Sequence, residues 1–170
     1  VARDTGFLTG FGIAVPDLKV MGSETDPRVI GHESSGANPE GGLKSAENLL
    51  AKNPDMNVIY TINEPAAEGA FQGMKAAGKE KQALIVSVDG GCPGVKSVTD
   101  GIIGATSMQF PLLMASKGVE AVAAFAKDGT KPANSDGLNY FNTGVKLITD
   151  KPVEGVPSIT SAEGAKICWG

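Results

Sequence analysis

Three short apolar runs, each closed by a polar residue, restrict this 170-residue chain to few architectures. Val58-Ile59-Tyr60-Thr61-Ile62 ends at Asn63, Leu84-Ile85-Val86-Ser87-Val88 at Asp89, and Ile103-Gly104-Ala105-Thr106-Ser107-Met108 at Gln109. A helical pattern follows each run. Glu64-Pro65 opens a helix with Ala67, Phe71 and Met74 inward and Gly78 just past its end. Pro93 to Asp100 is a short helix. From Phe110 to Ala126, the residues Leu112, Ala115, Val119, Val122 and Ala126 recur at spacings of three and four, which is an amphipathic helix. Short strands alternating with helices predict an α/β fold with a mostly parallel sheet.

The flanks fill in the rest. Arg3 to Ile13 predicts a helix, Pro16 to Pro27 a loop, and Arg28 to Ser35 a further strand. Asn38-Pro39-Glu40 is a helix start, with Asn as N-cap, Pro at the first helical position and an acid in the first turn. That helix carries Leu43, Ala46 and Leu50 on one face and stops at Asn53-Pro54. Ala83 to Val88 is apolar except for Ser87, as expected of a strand buried on both faces. Asp128 to Asn139 is polar loop, Val145 to Thr149 a last strand, and a Pro/Gly-rich tail ends in Cys168-Trp169-Gly170.

Charge and motifs exclude several functions. The net charge of −4, with no Lys/Arg cluster, argues against nucleic acid as a partner, since phosphate binding needs a basic face. Gly90-Gly91-Cys92-Pro93-Gly94-Val95-Lys96-Ser97 approaches a phosphate-binding loop, but its second Gly falls one residue early and Lys96 follows Val95. His32-Glu33 lacks the second His of a zinc-protease helix, and there is no Gly-x-Ser-x-Gly elbow. Cys92 would need a base to act as nucleophile, and His32 is the single His in the chain. No catalytic residue, metal or cofactor is therefore expected, and the chain is not expected to be an enzyme. It begins Val-Ala-Arg-Asp, without Met or a signal peptide, as a processed or cleaved product would. Cys92 and Cys168 are compatible with a disulfide in an oxidising compartment or with free thiols in a reducing one.

The polar residues at the strand ends are the candidate site. In open α/β sheets, ligands bind beyond the carboxyl ends of the strands. A carboxylate at Asp89 and carboxamides at Asn63 and Gln109 suit an uncharged ligand rich in hydroxyls, since one accepts and the others both donate and accept. Each residue alone is equally compatible with an ordinary turn or N-cap role.

The segment from Val58 to Ala70, with its Asn63-Glu64 step and Gly69-Ala70, resembles ribose-type periplasmic sugar-binding proteins. So do Met74-Lys75-Ala76-Ala77-Gly78, Ile85-Val86-Ser87-Val88-Asp89-Gly90 and Gly104-Ala105-Thr106-Ser107-Met108-Gln109, and the opening Ala2-Arg3-Asp4-Thr5-Gly6-Phe7 is similar to a helix start of the same family. The Asp89-Gly90-Gly91-Cys92 turn and the Cys-Trp-Gly ending most resemble fructose-binding members. The resemblance implies a type I periplasmic-binding-protein fold, two α/β lobes with a sugar held between them. It also implies that this sequence covers mostly the C-terminal lobe, without its opening strand, and lacks the N-terminal lobe. Residues 1–109 would belong to the C-terminal lobe, 110–143 to the N-terminal lobe, and 144–170 to the return and tail.

Further expectations follow from the resemblance. Arg3, Asn63, Asp89 and Gln109 would contact a fructose- or ribose-like monosaccharide, and Asn38, where ribose-binding relatives carry a sugar-packing aromatic nearby, would either bind the sugar as well or act only as an N-cap, the N-cap being favoured. Cys92 and Cys168 would pair. The protein would work in the periplasm as the substrate-binding component of an ABC importer, with an inner-membrane permease as partner. The helix from Phe110 to Ala126 would need the missing lobe, or a second copy of the chain, to cover its apolar face. The effector domain of a LacI-type transcription regulator shares this architecture. The cysteine pair and the Pro/Gly-rich tail favour the exported protein.

Overall fold

A computed structural model describes residues 1–170. Its sheet has four strands, β1 (Val58–Tyr60), β2 (Leu84–Asp89), β3 (Ala105–Met108) and β4 (Lys146–Ile148), in that spatial order. The first three are parallel and β4 is antiparallel to β3. The helices are α1 (Ala2–Gly10), α2 (Pro39–Lys52), α3 (Glu64–Ala76), α4 (Cys92–Thr99), α5 (Pro111–Asp128) and the short α6 (Ser161–Gly164). The expected mixed α/β layering is present.

Helices α3 and α4 are the crossovers between the parallel strands, and both pack on one face of the sheet. Ala67, Ile85, Val98 and Ile103 bury together there. Leu50, Met56 and Met74 extend this core beneath α2, and Val95, Met108 and Ile148 extend it towards the tail. The α2–α3 contact is backbone on backbone: a Cβ at Gly69 would lie 1.9 Å from the Pro39 carbonyl oxygen. Asn38 and Asn63 cap α2 and α3 by accepting from the Gly41 and Ala66 amides.

Two expectations require correction. Arg28 to Ser35 forms no strand, because a cavity of about 360 Å³, lined by Val29, Ile30, His32, Val58 and Tyr60 among others, separates it from the outer edge of β1. Without a ladder partner, an extended segment has no cross-strand hydrogen bonds to define it. Nor is β2 buried on both faces. Ile85 and Ser87 are buried beneath the crossover helices, whereas Leu84 is 48% exposed and Val86 and Val88 are half-buried. A cavity of about 860 Å³ lies over that second face, bounded by α1, Tyr60, Val86, Val88 and the Tyr140–Val145 segment. One further element was unforeseen, α6, which opens with a reciprocal capping box between Thr160 and Glu163. Finally, α5 forms where its periodicity placed it but buries none of its residues.

Candidate ligand-binding site

Each strand of the parallel set ends at the same rim and carries one expected residue there, Asp89 as the last residue of β2 and Asn63 and Gln109 just past β1 and β3. Asp89 is the centre. Its Oδ1 accepts from Gln109 Nε2 at 2.9 Å and from Arg3 Nη1 at 3.2 Å. Arg3 reaches the rim from α1 and donates the same nitrogen to the carbonyl of Ile62, just before Asn63, at 2.5 Å. Arg3 is 41% exposed and Asp89 16% exposed at the side chain, so the pair lies at the mouth of the rim rather than in the core. Asp89 Oδ2 makes no hydrogen bond within the protein, and Gln109 Oε1 makes none either. The arrangement thus offers a charged acceptor, a carboxamide oxygen and the remaining guanidinium donors to a ligand, a set matched to vicinal hydroxyls.

Asn63 and Asn38 sit beside this centre, with their side chains engaged. Asn63 Oδ1 caps α3 and its Nδ2 donates to the Ala37 carbonyl at 2.8 Å. Asn38 Oδ1 caps α2, and its Nδ2 donates to Gly36. The structure therefore brings Arg3 and Gln109 together on Asp89 and places the two asparagines as caps alongside.

The turn after Asp89 is fastened from the tail. Cys92 and Cys168 are joined in a disulfide across 76 residues of sequence. The Trp169 indole N–H donates to the Asp89 carbonyl at 3.2 Å, and the Cys92 amide donates to the Trp169 carbonyl at 2.9 Å. Asp89 itself has φ +146°, a conformation L-residues rarely adopt.

Sequence reasoning missed the surroundings of Tyr60 and the partners of His32. Tyr60 stacks on Phe7 with ring centroids 4.5 Å apart, and burial pushes its phenol up to about 12, with Arg3 opposing and Asp4 and Asp89 adding to the shift. The i, i+4 spacing of Phe7 and Phe11 on α1 was the available signal. His32 lies between Glu24, which Nε2 contacts, and Asp4, 3.8 Å from Nδ1. These groups approach opposite nitrogens of one ring, and no three metal-ligating side chains converge to hold an ion.

Comparison with known proteins bears on the fold and the family. The periplasmic binding protein domain family matches residues 10–131. The ribose import binding protein of Haemophilus influenzae is 45% identical over 78 residues, 46% of this chain and 26% of that protein. The Escherichia coli ribose import binding protein is 38% identical over 79 residues, again 46% of this chain and 26% of its own length. Among solved structures, an ABC transporter solute-binding protein from Agrobacterium vitis with bound D-fucose superposes with a TM-score of 0.64 at 26% identity, over 83% of this chain and 44% of that one. The chain thus spans between about a quarter and under half the length of these relatives. All three are named as binding or import proteins, as expected of a chain without catalytic motifs.

Proposed function

Because the chain belongs to the periplasmic binding protein family, we propose that it is the sugar-binding lobe of a receptor that delivers a monosaccharide to an ABC importer in the periplasm. The observation that carries this reading is Asp89. Its carboxylate is held by Arg3 and Gln109 through one oxygen and leaves the other open at the carboxyl-end rim. A charged acceptor oriented in this way suits a pair of sugar hydroxyls, and Arg3 supplies donors beside it. Gln109, at the point where the chain leaves β3 for α5, would act at the hinge. Asn63 and Asn38 would contribute through the caps that shape the rim, and Asn63 would reach the sugar by exchanging its bond to Ala37.

The relatives' names direct the choice of ligand towards ribose, allose and fucose as well as fructose. The proposed division of labour is that residues 1–109 and 144–170 form this lobe, whereas 110–143 belong to the first lobe. The lack of any buried residue in α5 supports it, and Leu112, Val119 and Val122 are each at least 70% exposed. The occupant proposed for that face is the lobe carried by the longer relatives and not contained in these 170 residues. A permease of the inner membrane would be the receptor's partner. No helix of the chain is long and apolar enough to cross a membrane.

Calorimetry of the intact protein against D-ribose, D-allose, D-fucose and D-fructose tests the proposal. Micromolar or tighter binding of at least one sugar is expected. Asp89→Ala should then cost about 1.5–3 kcal/mol of affinity, the range for hydrogen bonds to charged groups. Unchanged affinity in that variant would remove Asp89 from the site.

A further inference from the structure

Glu64 opens α3, and its sequence position suggests only a first-turn acid at a helix N-terminus. Its contacts lie elsewhere. The residue is 5% exposed. Its Oε1 accepts from the Gly90 amide at 2.8 Å and from the Thr106 hydroxyl at 2.6 Å, and its Oε2 accepts from the Gly91 amide at 3.1 Å. Gly90 and Gly91 directly follow Asp89. The carboxylate therefore ties the chain leaving β2 to Thr106 on β3. Space for it exists because residue 94 lacks a side chain: a Cβ there would lie 1.8 Å from the Glu64 carboxyl carbon.

This placement bears on Asp89 because Asp89 is in an unfavourable backbone conformation. A residue at φ +146° persists only where its surroundings over-determine it. Trp169 and the disulfide hold the turn from the tail side. On the other side, the two amides immediately after Asp89 are held by one side chain, that of Glu64.

We propose that Glu64 is a positioning residue for Asp89, holding the Asp89–Gly91 turn so that Oδ1 meets Arg3 and Gln109 and Oδ2 faces the ligand. This inference rests on the proposed sugar site. A carboxylate that only stabilised the fold would alter the melting temperature and leave the affinity of the folded protein unchanged.

The test uses the intact protein, with D-ribose as probe in calorimetry and amide NMR of the unliganded protein as a second readout. Glu64→Ala should weaken D-ribose binding about ten- to a hundredfold at temperatures where the variant is folded, because the charged acceptor is misplaced. In an Asp89→Ala background the same change should alter affinity less than about twofold, since coupled residues are non-additive. Glu64→Gln keeps one acceptor for Gly90 and Thr106 but sets an NH2 against the Gly91 amide. It should fall between wild type and Glu64→Ala, and it serves if the alanine variant does not fold. In NMR, both variants should shift the Gly90 and Gly91 amides and the Gln109 side-chain amide that reports on Asp89.

The inference is overturned if both Glu64 variants bind within twofold of wild type while Asp89→Ala does not, or if their loss is the same with and without Asp89. If the wild type does not bind D-ribose, the NMR readout decides alone. Shifted Gln109 and Gly90–Gly91 resonances support the positioning role, and unchanged ones refute it. The sugar reading itself stands or falls separately, on wild-type binding and the Asp89→Ala variant.

Discussion

Helices α3 and α5 carry equally clear apolar stripes and meet opposite fates. Seven of the thirteen residues of α3 are buried, from Glu64 to Met74, and none of the eighteen residues of α5 is. The difference is not in the helices. Two glycines let α2 and α3 close to backbone contact, since a Cβ at Gly42 would fall 2.2 Å from the Ala66 carbonyl, and β1 and β2 floor the same helix. Nothing comparable faces α5. An amphipathic pattern thus specifies which side of a helix requires burial, while the partner is a property of the rest of the assembly.

The largest expected effect lies in the packed half. Breaking the Cys92–Cys168 disulfide by Cys92→Ser with Cys168→Ser frees a 76-residue loop, which the chain-entropy relation puts at up to about 4.5 kcal/mol. Urea denaturation of the intact protein should show that loss. If the loss were below about 1 kcal/mol, the Trp169 and Cys92 backbone contacts would be sufficient to hold the tail.

Core truncation sharpens the contrast between the helices. Met74→Ala, at a site 1% exposed, should cost about 2–5 kcal/mol. Val119→Ala, at a site 71% exposed, should change the stability of the 170-residue chain by no more than about 0.5 kcal/mol. In the intact protein, where the first lobe is proposed to cover α5, the same Val119→Ala should cost about 1–2 kcal/mol. Equal small effects in both forms would leave α5 uncovered in the whole protein. A small effect in the intact monomer, with loss of a dimer on gel filtration, would assign the face to a second copy.

What the sequence made legible follows the same division between local and long-range causes. The strand ends at Asn63, Asp89 and Gln109 were readable because a run of apolar residues and the polar residue closing it are contiguous. The N-caps Asn38 and Asn63 were readable for the same reason. Arg28 to Ser35 reads as a strand, yet strand formation requires a neighbour, and that neighbour is not encoded in those eight residues. The Thr160–Glu163 capping box was a local signal that was overlooked. The Cys92–Cys168 pairing was implied only by family resemblance, since two cysteines do not by themselves indicate a redox compartment. The contacts of Glu64 could not have been read locally at all, because its partners lie 26, 27 and 42 residues away.

The smallest effect separates two carboxylates that do similar work in different surroundings. Asp150 accepts from the Ser161 amide and hydroxyl near the open tail, and those bonds hold its carboxyl below the ordinary 3.8. Glu64 accepts from three donors, yet burial outweighs them and raises its carboxyl above the ordinary 4.5. The signs of the linked stabilities are opposite. For Asp150, depressed on folding, the stabilisation is present above about 3.8 and is lost as pH falls through the lower folded value. For Glu64, raised on folding, the protonated form is favoured in the folded state, so its contribution is full below about 4.5 and is lost as pH rises through the raised value. Urea denaturation from pH 3 to pH 7 on wild type, Asp150→Asn and Glu64→Gln should therefore give difference curves of opposite slope. The wild-type advantage over Asp150→Asn should shrink on acidification, and its advantage over Glu64→Gln should grow. Parallel slopes would mean that the hydrogen bonds from Gly90, Gly91 and Thr106 outweigh the burial of Glu64. The turn that carries Asp89 would then be held most firmly at neutral pH rather than in acid.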